Sequence, residues 1–271
     1  MSHIALSDVT LHYDDQGPSD GLPVVLVHGH PFNRGMWEPS VRALVVAGYR
    51  VITPDLRGYG DSGVTPGKVL LSGFADDIAA LLDHLGVERA VVGGVSMGGQ
   101  IAMEFRRGRP ERVLGLVLSD TSAPPETEEG KEIRNAMADR LLAEGMDGYA
   151  AEVIGKMLAP YNVTGLPDVA AHVLGMMRAT DPEGAAAALR GRAERLDHRD
   201  TLAAVDTPVL LVVGADDAFT PVRDAEDMLR LVPHATLAVI ERAGHLPGVE
   251  QPERFNEALL GFLGARFTGG A

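Results

Sequence analysis

A chain of 271 residues without a single cysteine excludes disulfides, thiolate catalysis and cysteine–zinc sites, and it is long enough for one large α/β core or two smaller ones. Its formal net charge of −14 speaks against nucleic acid and anionic lipid as partners, because neutralising phosphates takes clustered Lys and Arg. With 45% hydrophobic and 23% charged residues it has the composition of an ordinary globular domain, in which the surplus acid serves solubility. The first residues, "MSHIALSDVTLHYDD", lack a basic stretch followed by an apolar run, and no segment approaches the ~20 apolar residues of a membrane helix. The expectation is a cytoplasmic protein without a signal peptide, acting on a small molecule as a monomer or a homodimer.

In chain order, Ile4 and Leu6, then Val9, Leu11 and Tyr13, alternate around Ser7 and Asp8. That spacing predicts two half-exposed strands joined by a tight turn. From residue 24 the strands change character. The runs "PVVLVHGH", "YRVITPD", "RAVVGGVS", "RVLGLVLSD", "TPVLLVVGADD" and "ATLAVIERAGH" are almost continuously apolar, as strands covered on both faces are. Between them lie helical patterns. Phe74, Ile78, Leu81, Leu82 and Leu85 form one stripe, with Gly86 placed to end it. Phe255, Leu259, Phe262 and Leu263 form another, after Pro252 in the first turn. Strand–helix alternation with short links predicts an α/β fold with a mostly parallel, open, twisted sheet of about eight strands.

One interval breaks the rhythm. Residues 122–205 contain no strand run. After the turn-rich "TSAPPETEEG" come the helical patterns Ile133/Met137/Leu141, Val153/Ile154/Met157/Leu158, Val169/Val173/Met176/Met177 and Leu189/Leu196. The predicted organisation is a core domain of residues 1–121 and 206–271, and a helical cap of 122–205 inserted after the sixth strand and lying over the strand ends. The methionines and alanines of this interval predict an apolar pocket. Its candidate lining is Met137, Met157 and Met176, with Phe32, Met36 and Trp37 from the loop after the first buried strand.

The pattern Gly94-x-Ser96-x-Gly98 ends one apolar strand and opens the helix "MGGQIAMEF". A serine at such a junction sits on a tight turn, and the glycines on either side relieve collisions that side chains there would make. The plain alternative is a serine that caps the helix. To act as a nucleophile it needs a base, and of nine histidines His245 is the best placed. It falls just past the last strand, where catalytic residues collect in such sheets. His3 and His12 fall in edge strands, His84 in a helix, His172 and His198 in the insertion and His234 in a turn. A carboxylate should follow another strand; Asp216, Asp217 and Asp120 all qualify, and each also suits a turn or cap. "VLVHGHPFN" places Gly29 and His30 after the first buried strand, so the backbone N–H groups of His30 and Met97 are candidates to hold an oxyanion.

The order Ser…Asp…His and the motifs "HGHPFN", "DLRGYGDSG", "GVSMGG", "GADDAFTP" and "AGHLPGVEQPERF" resemble the α/β-hydrolase fold superfamily over nearly the whole chain. The resemblance implies Ser96 as nucleophile, His245 as base and His30 at the oxyanion position. Its G-x-x-D-x-x-x-P pattern falls on Gly214 to Pro221 and selects Asp217 as the acid. The chain resembles small bacterial arylesterases, cofactor-free perhydrolases and enol-lactonases. Haloalkane dehalogenases and epoxide hydrolases carry aspartate where this chain has Ser96, and proline iminopeptidases usually carry tryptophan where it has Met97. The implied activity is cleavage of a small or medium ester or lactone, with perhydrolysis and carbon–carbon hydrolysis as alternatives on the same three residues. A non-catalytic ligand receptor of this fold is the rival from another class, and the presence of all three residues weighs against it. Without a G-x-G-x-x-G after the first strand or a P-loop, no nucleotide is expected, and neither is a metal or an organic cofactor.

Overall fold

Strands β1 (Ser2–Ala5) and β2 (Thr10–Gln16) pair antiparallel with Ala5 opposite Thr10, and the Leu6 N–H closes the turn between them onto the Val9 carbonyl at 2.8 Å. The structure, a computed structural model, describes residues 2–267. The six apolar runs become β3 (Pro23–Val27), β4 (Arg50–Pro54), β5 (Ala90–Val95), β6 (Val113–Ser119), β7 (Val209–Gly214) and β8 (Thr236–Ile240). They join β1 and β2 in one eight-stranded sheet of order β1-β2-β4-β3-β5-β6-β7-β8, antiparallel only at β1–β2 and β2–β4.

Burial on both faces explains the continuous apolar runs. In β3, Val25 and Val27 join one hydrophobic cluster with Phe74, Ile78, Ile101 and Leu116, while Val24 and Leu26 join the cluster on the opposite face with Leu44, Leu210 and Phe255. Period-2 side-chain alternation with no solvated face leaves no position for a polar residue. Each such Val or Leu contributes about 1.5–3 kcal/mol when fully buried. β8 departs from the expectation, because as an edge strand it leaves Val239 39% exposed. His12 also differs: β2 is the second strand of the sheet and not its edge.

Helices α1 (Glu38–Val46), α2 (Leu71–His84) and α3 (Met97–Gly108) connect the first parallel strands. α10 (Val222–Leu231), α11 (Pro247–Glu250) and α12 (Pro252–Phe267) follow β7 and β8. Between β6 and β7 lie α4 (Glu128–Glu144), α5 (Met146–Met157), α6 (Pro160–Gly165), α7 (Pro167–Ala179), α8 (Pro182–Ala193) and α9 (Arg199–Ala203). Ala138, Leu141, Met146, Tyr149, Ala185, Ala186 and Leu189 form a small separate core among α4, α5 and α8. The stripe on α4 is therefore rotated from its sequence reading. Ala138 and Leu141 are buried against the alanine face of α8, and Ile133 faces solvent at 58% exposure. α8 sits directly on the core: a Cβ on Gly184 would lie 2.1 Å from the Gly58 carbonyl oxygen, and the Val69 N–H bonds the Ala187 carbonyl at 3.1 Å. Among the described residues no helix is long and apolar enough to cross a membrane.

Candidate active site

β5 is buried along its whole length and delivers Ser96 to the sheet's carboxyl edge, where α3 begins. Ser96 has φ 54° and ψ −115°, a left-handed backbone that an L-residue adopts only under strain. Three hydrogen bonds hold it. Its N–H reaches the Ser119 carbonyl at 2.9 Å, and its own carbonyl accepts the Gln100 N–H at 3.1 Å and the Thr121 hydroxyl at 2.7 Å. The flanking glycines are demanded by backbone. A Cβ on Gly94 would lie 2.2 Å from the Gly98 carbonyl carbon, and one on Gly98 would lie 2.2 Å from the Val27 oxygen. A serine that only capped α3 would accept a hydrogen bond from the helix's first N–H groups; among the described residues Ser96 makes no such bond.

His245 lies in the loop between β8 and α11 and is 3% exposed. Its N–H bonds the Met157 carbonyl at 3.1 Å, and its Nδ1 meets Asp217 Oδ2 at 2.8 Å. Asp217 follows β7. It accepts the Phe219 N–H at 2.8 Å and the Thr220 N–H at 3.2 Å on Oδ1, and the Thr220 hydroxyl at 2.6 Å on Oδ2. Burial pushes its carboxyl up, but the His245 charge and these hydrogen bonds outweigh that and hold it below the usual value of 3.8.

The other two carboxylates separate clearly from Asp217. Asp216 is exposed and accepts the Tyr161 hydroxyl. Asp120 is buried at the end of β6; Oδ1 accepts the Gly214 N–H at 2.8 Å and Oδ2 accepts the Ser119 hydroxyl at 2.5 Å. Burial, with the neighbouring Asp217 charge, raises its pKa well above 3.8. Ligand atoms of Asp120, Asp217 and His245 lie within 4.8 Å of one another. Their lone pairs are already directed at backbone N–H groups, hydroxyls and one another, which suits a hydrogen-bonded cluster better than a cation site.

The loop after β3 packs against the elbow: a Cβ on Gly29 would lie 3.4 Å from Ser96 Cβ. Gly29 brings His30 to the cavity, while Met97 is fully buried at the start of α3. The His30 ring bonds the Tyr59 hydroxyl at 2.8 Å through Nδ1. Burial, then the charges of Arg192 and Arg134, drive its pKa well below 6.5, so the ring is neutral.

Ser96, His245 and His30 open onto one cavity of about 700 Å³. Among the described residues no hydrogen bond links the Ser96 hydroxyl to the His245 ring. Of the candidate lining residues, Met157 reaches the cavity. Phe32, Met36, Trp37 and Met176 lie in the hydrophobic core on the α1/α12 face of the sheet, and Met137 packs against the small core of α4, α5 and α8. Beside its apolar residues the cavity is lined by Arg134, Arg192 and Arg195 with Glu126. The arginines of "AALRGRAERL" are not among the lining residues expected from the sequence. The signal was Leu189 and Arg192 three residues apart, and therefore on one face of α8. Glu250 also escaped notice. It is buried and accepts the N–H groups of Gly244 at 2.7 Å and Ala159 at 2.8 Å and the Asn162 amide at 2.7 Å, which ties the His245 loop to α6.

Known proteins resemble this chain. Residues 23–252 match the alpha/beta hydrolase fold family. The chain is 30% identical to the 3-oxoadipate enol-lactonase 1 of Acinetobacter baylyi, over 94% of this chain and 93% of that one. It is 32% identical to a non-heme chloroperoxidase of Streptomyces lividans, over 97% and 99%. The structure of a thermophilic esterase from Thermogutta terrifontis, with malate bound, superposes with a TM-score of 0.93 at 40% identity, covering 97% and 98%. The family match takes in six of the eight strands, the elbow and the loop carrying His245, and on that match the chain belongs to the α/β-hydrolase fold family of enzymes.

Proposed function

We propose that this protein is a serine hydrolase that cleaves a small or medium carboxylic ester or lactone through an acyl-enzyme. The observation that carries the reading is the 2.8 Å contact of Asp217 with His245 Nδ1, in a ring that shares its cavity with the strained Ser96. Asp217 holds the proton on Nδ1, which leaves Nε2 basic toward the cavity. In the free enzyme such serine–histidine contacts are often long and tighten when substrate binds.

Ser96 Oγ attacks the carbonyl carbon and its proton passes to His245 Nε2. Negative charge forms on the former carbonyl oxygen, where the N–H groups of His30 and Met97 receive it, at about 3 kcal/mol per donor. The N-terminus of α3 adds its positive dipole end. His245 then gives its proton to the leaving oxygen, and in a lactone that oxygen remains tethered to the acyl group. Water, deprotonated by His245, frees the acid and restores Ser96. In this reading residues 122–205 act as a cap over the core of 1–121 and 206–271, and Met157 and Tyr149 from the cap line the acyl pocket.

Similarity to the chloroperoxidase of Streptomyces lividans favours a second reaction of the same intermediate. Hydrogen peroxide in place of water would release a peracid and free Ser96. Assay of aryl esters, lactones, and acetate with peroxide tests both readings, together with fluorophosphonate labelling of the wild type and Ser96→Ala. Turnover and labelling that vanish in Ser96→Ala support the nucleophile assignment; normal turnover by that variant overturns it.

A further inference from the structure

We propose that the cavity selects esters or lactones that carry a carboxylate a few atoms from the scissile carbonyl, and that Arg192 on α8 is the residue that binds it. The proposal rests on Ser96 being the nucleophile.

Arg192 is 8% exposed, lines the cavity with Ser96 and His245, and belongs to no ion pair among the described residues. Its one hydrogen bond there runs from Nε to Gln100 Oε1 at 3.2 Å, and the remaining guanidinium donors have no protein acceptor. Two more arginines lie beside it and pair with one carboxylate, Glu126, which feels the Arg192 charge without pairing with it. Arg134 pairs with Glu126, and Arg195 Nη2 lies 3.7 Å from the other oxygen of Glu126. Asp224, on α10, acts on Arg195 rather than on Arg192. The remaining neighbours of Arg192 are the Tyr59 and Tyr149 hydroxyls and the neutral His30 ring, none of which carries negative charge at neutral pH. Burial, reinforced by Arg134 and Arg195, works against the Arg192 charge, yet a guanidinium does not release its proton in a protein.

A buried cation without an ion pair of its own is held at a free-energy cost, which an incoming anion lowers. The free edge of a planar guanidinium matches a carboxylate with two parallel hydrogen bonds, and low polarity around the pair strengthens them. Position sets the spacer. Arg192 is anchored to Gln100, and Gln100 is one turn of α3 beyond Ser96, about 6 Å along the helix axis. A carboxylate on Arg192 and a carbonyl at Ser96 Oγ are therefore separated by a short chain, as in half-esters of succinate or glutarate. Met157, Leu189 and Tyr149 line the same cavity and suit the methylenes between them.

The test compares kcat/KM for the mono-4-nitrophenyl ester of glutaric acid with that for neutral 4-nitrophenyl pentanoate, in the wild type, Arg192→Met and Arg192→Lys. The expected wild-type ratio favours the anionic ester by about ten- to a hundredfold, the discrimination that hydrogen bonds to a charged group confer. It should fall toward unity in Arg192→Met and partway in Arg192→Lys, which keeps the charge and loses the fork. Calorimetric binding of glutarate to Ser96→Ala, with and without Arg192→Met, gives a readout free of turnover. Efficient hydrolysis of both esters without preference, and no glutarate binding, would overturn the proposal and leave the hydrolase reading standing. Glutarate binding that Arg192→Met abolishes, with neither ester hydrolysed, would retain the anion site and sink the hydrolase reading. Should Arg192→Met fail to fold, a wild-type ratio near unity is sufficient to refute the proposal and a high ratio lowered in Arg192→Lys to support it.

Discussion

Asp120 Oδ1 accepts the Gly214 N–H at 2.8 Å, which ties the end of β6 to the end of β7 three residues before Asp217. Burial and the Asp217 charge both oppose ionisation of Asp120 and raise its pKa. A carboxyl whose folded pKa is raised contributes stability that is complete below its unfolded value, near 3.8, and is lost as pH rises toward the folded value. Asn mimics the neutral acid and does not titrate. The stability of Asp120→Asn relative to wild type should therefore increase above about pH 4, with a limiting slope of about 1.4 kcal/mol per pH unit. Urea denaturation at a series of pH values measures this. A difference independent of pH would mean that Asp120 is ionised in the folded protein.

Ser96 joins a strained backbone to a chemical role, and two substitutions separate them. Ser96→Ala and Ser96→Gly should both lose ester hydrolysis by several orders of magnitude, because the nucleophile is gone. Only Gly accepts φ 54° without the strain of about 1–3 kcal/mol. Ser96→Gly should accordingly unfold at a temperature no lower than Ser96→Ala, although glycine gives the unfolded chain more entropy. Thermal melts of the two inactive proteins decide the matter.

Asp217→Asn tests the histidine's orientation. The Asn amide can donate to Nδ1, which moves the ring proton to Nε2 and turns the base away from Ser96. A loss in kcat of about four orders of magnitude is expected, with KM little changed. Steady-state kinetics on an aryl ester checks this, and a loss under tenfold would remove Asp217 from the mechanism.

Gly98 and Gly155 should respond in opposite directions to alanine. At Gly98 the new methyl would lie 2.2 Å from the Val27 oxygen, a backbone atom that cannot yield without displacing β3. Gly98→Ala should cost more than about 2 kcal/mol and disrupt the elbow. Gly155, within α5, has nothing within 4 Å of a built Cβ, so Gly155→Ala should be neutral or stabilising by up to about 1 kcal/mol. Chemical denaturation of both variants, with activity, gives the comparison.

Local pattern made much of the fold legible. The continuous apolar runs of β3, β5, β6 and β7 announce strands covered on both faces, and the structure buries them so. The glycines around Ser96 announce a turn too tight for side chains; the collision that forbids a Cβ at Gly94 comes from Gly98 within the motif, whereas the one at Gly98 comes from Val27 on β3. β8 was misread because apolar content alone does not distinguish a central strand from an edge. Ile133 was misread because α4 has few strongly apolar residues, and the small alanines of α8 decide which side it buries.

The sequence by itself determined the succession of strands and helices, the parallel sheet, and a serine on a strained elbow, since each follows from periodicities and steric limits over a few neighbouring residues. The G-x-x-D-x-x-x-P pattern singled out Asp217 among three aspartates, and only the tertiary structure decided which methionine reaches the cavity. It also decided that Arg192 stands there outside any ion pair among the described residues. Those outcomes depend on sheet order and helix docking, which bring together residues such as Gln100 and Arg192, 92 positions apart. The His245 charge and hydrogen bonds then hold one carboxyl low while burial raises its neighbour, a distinction carried by surroundings and not by residue type.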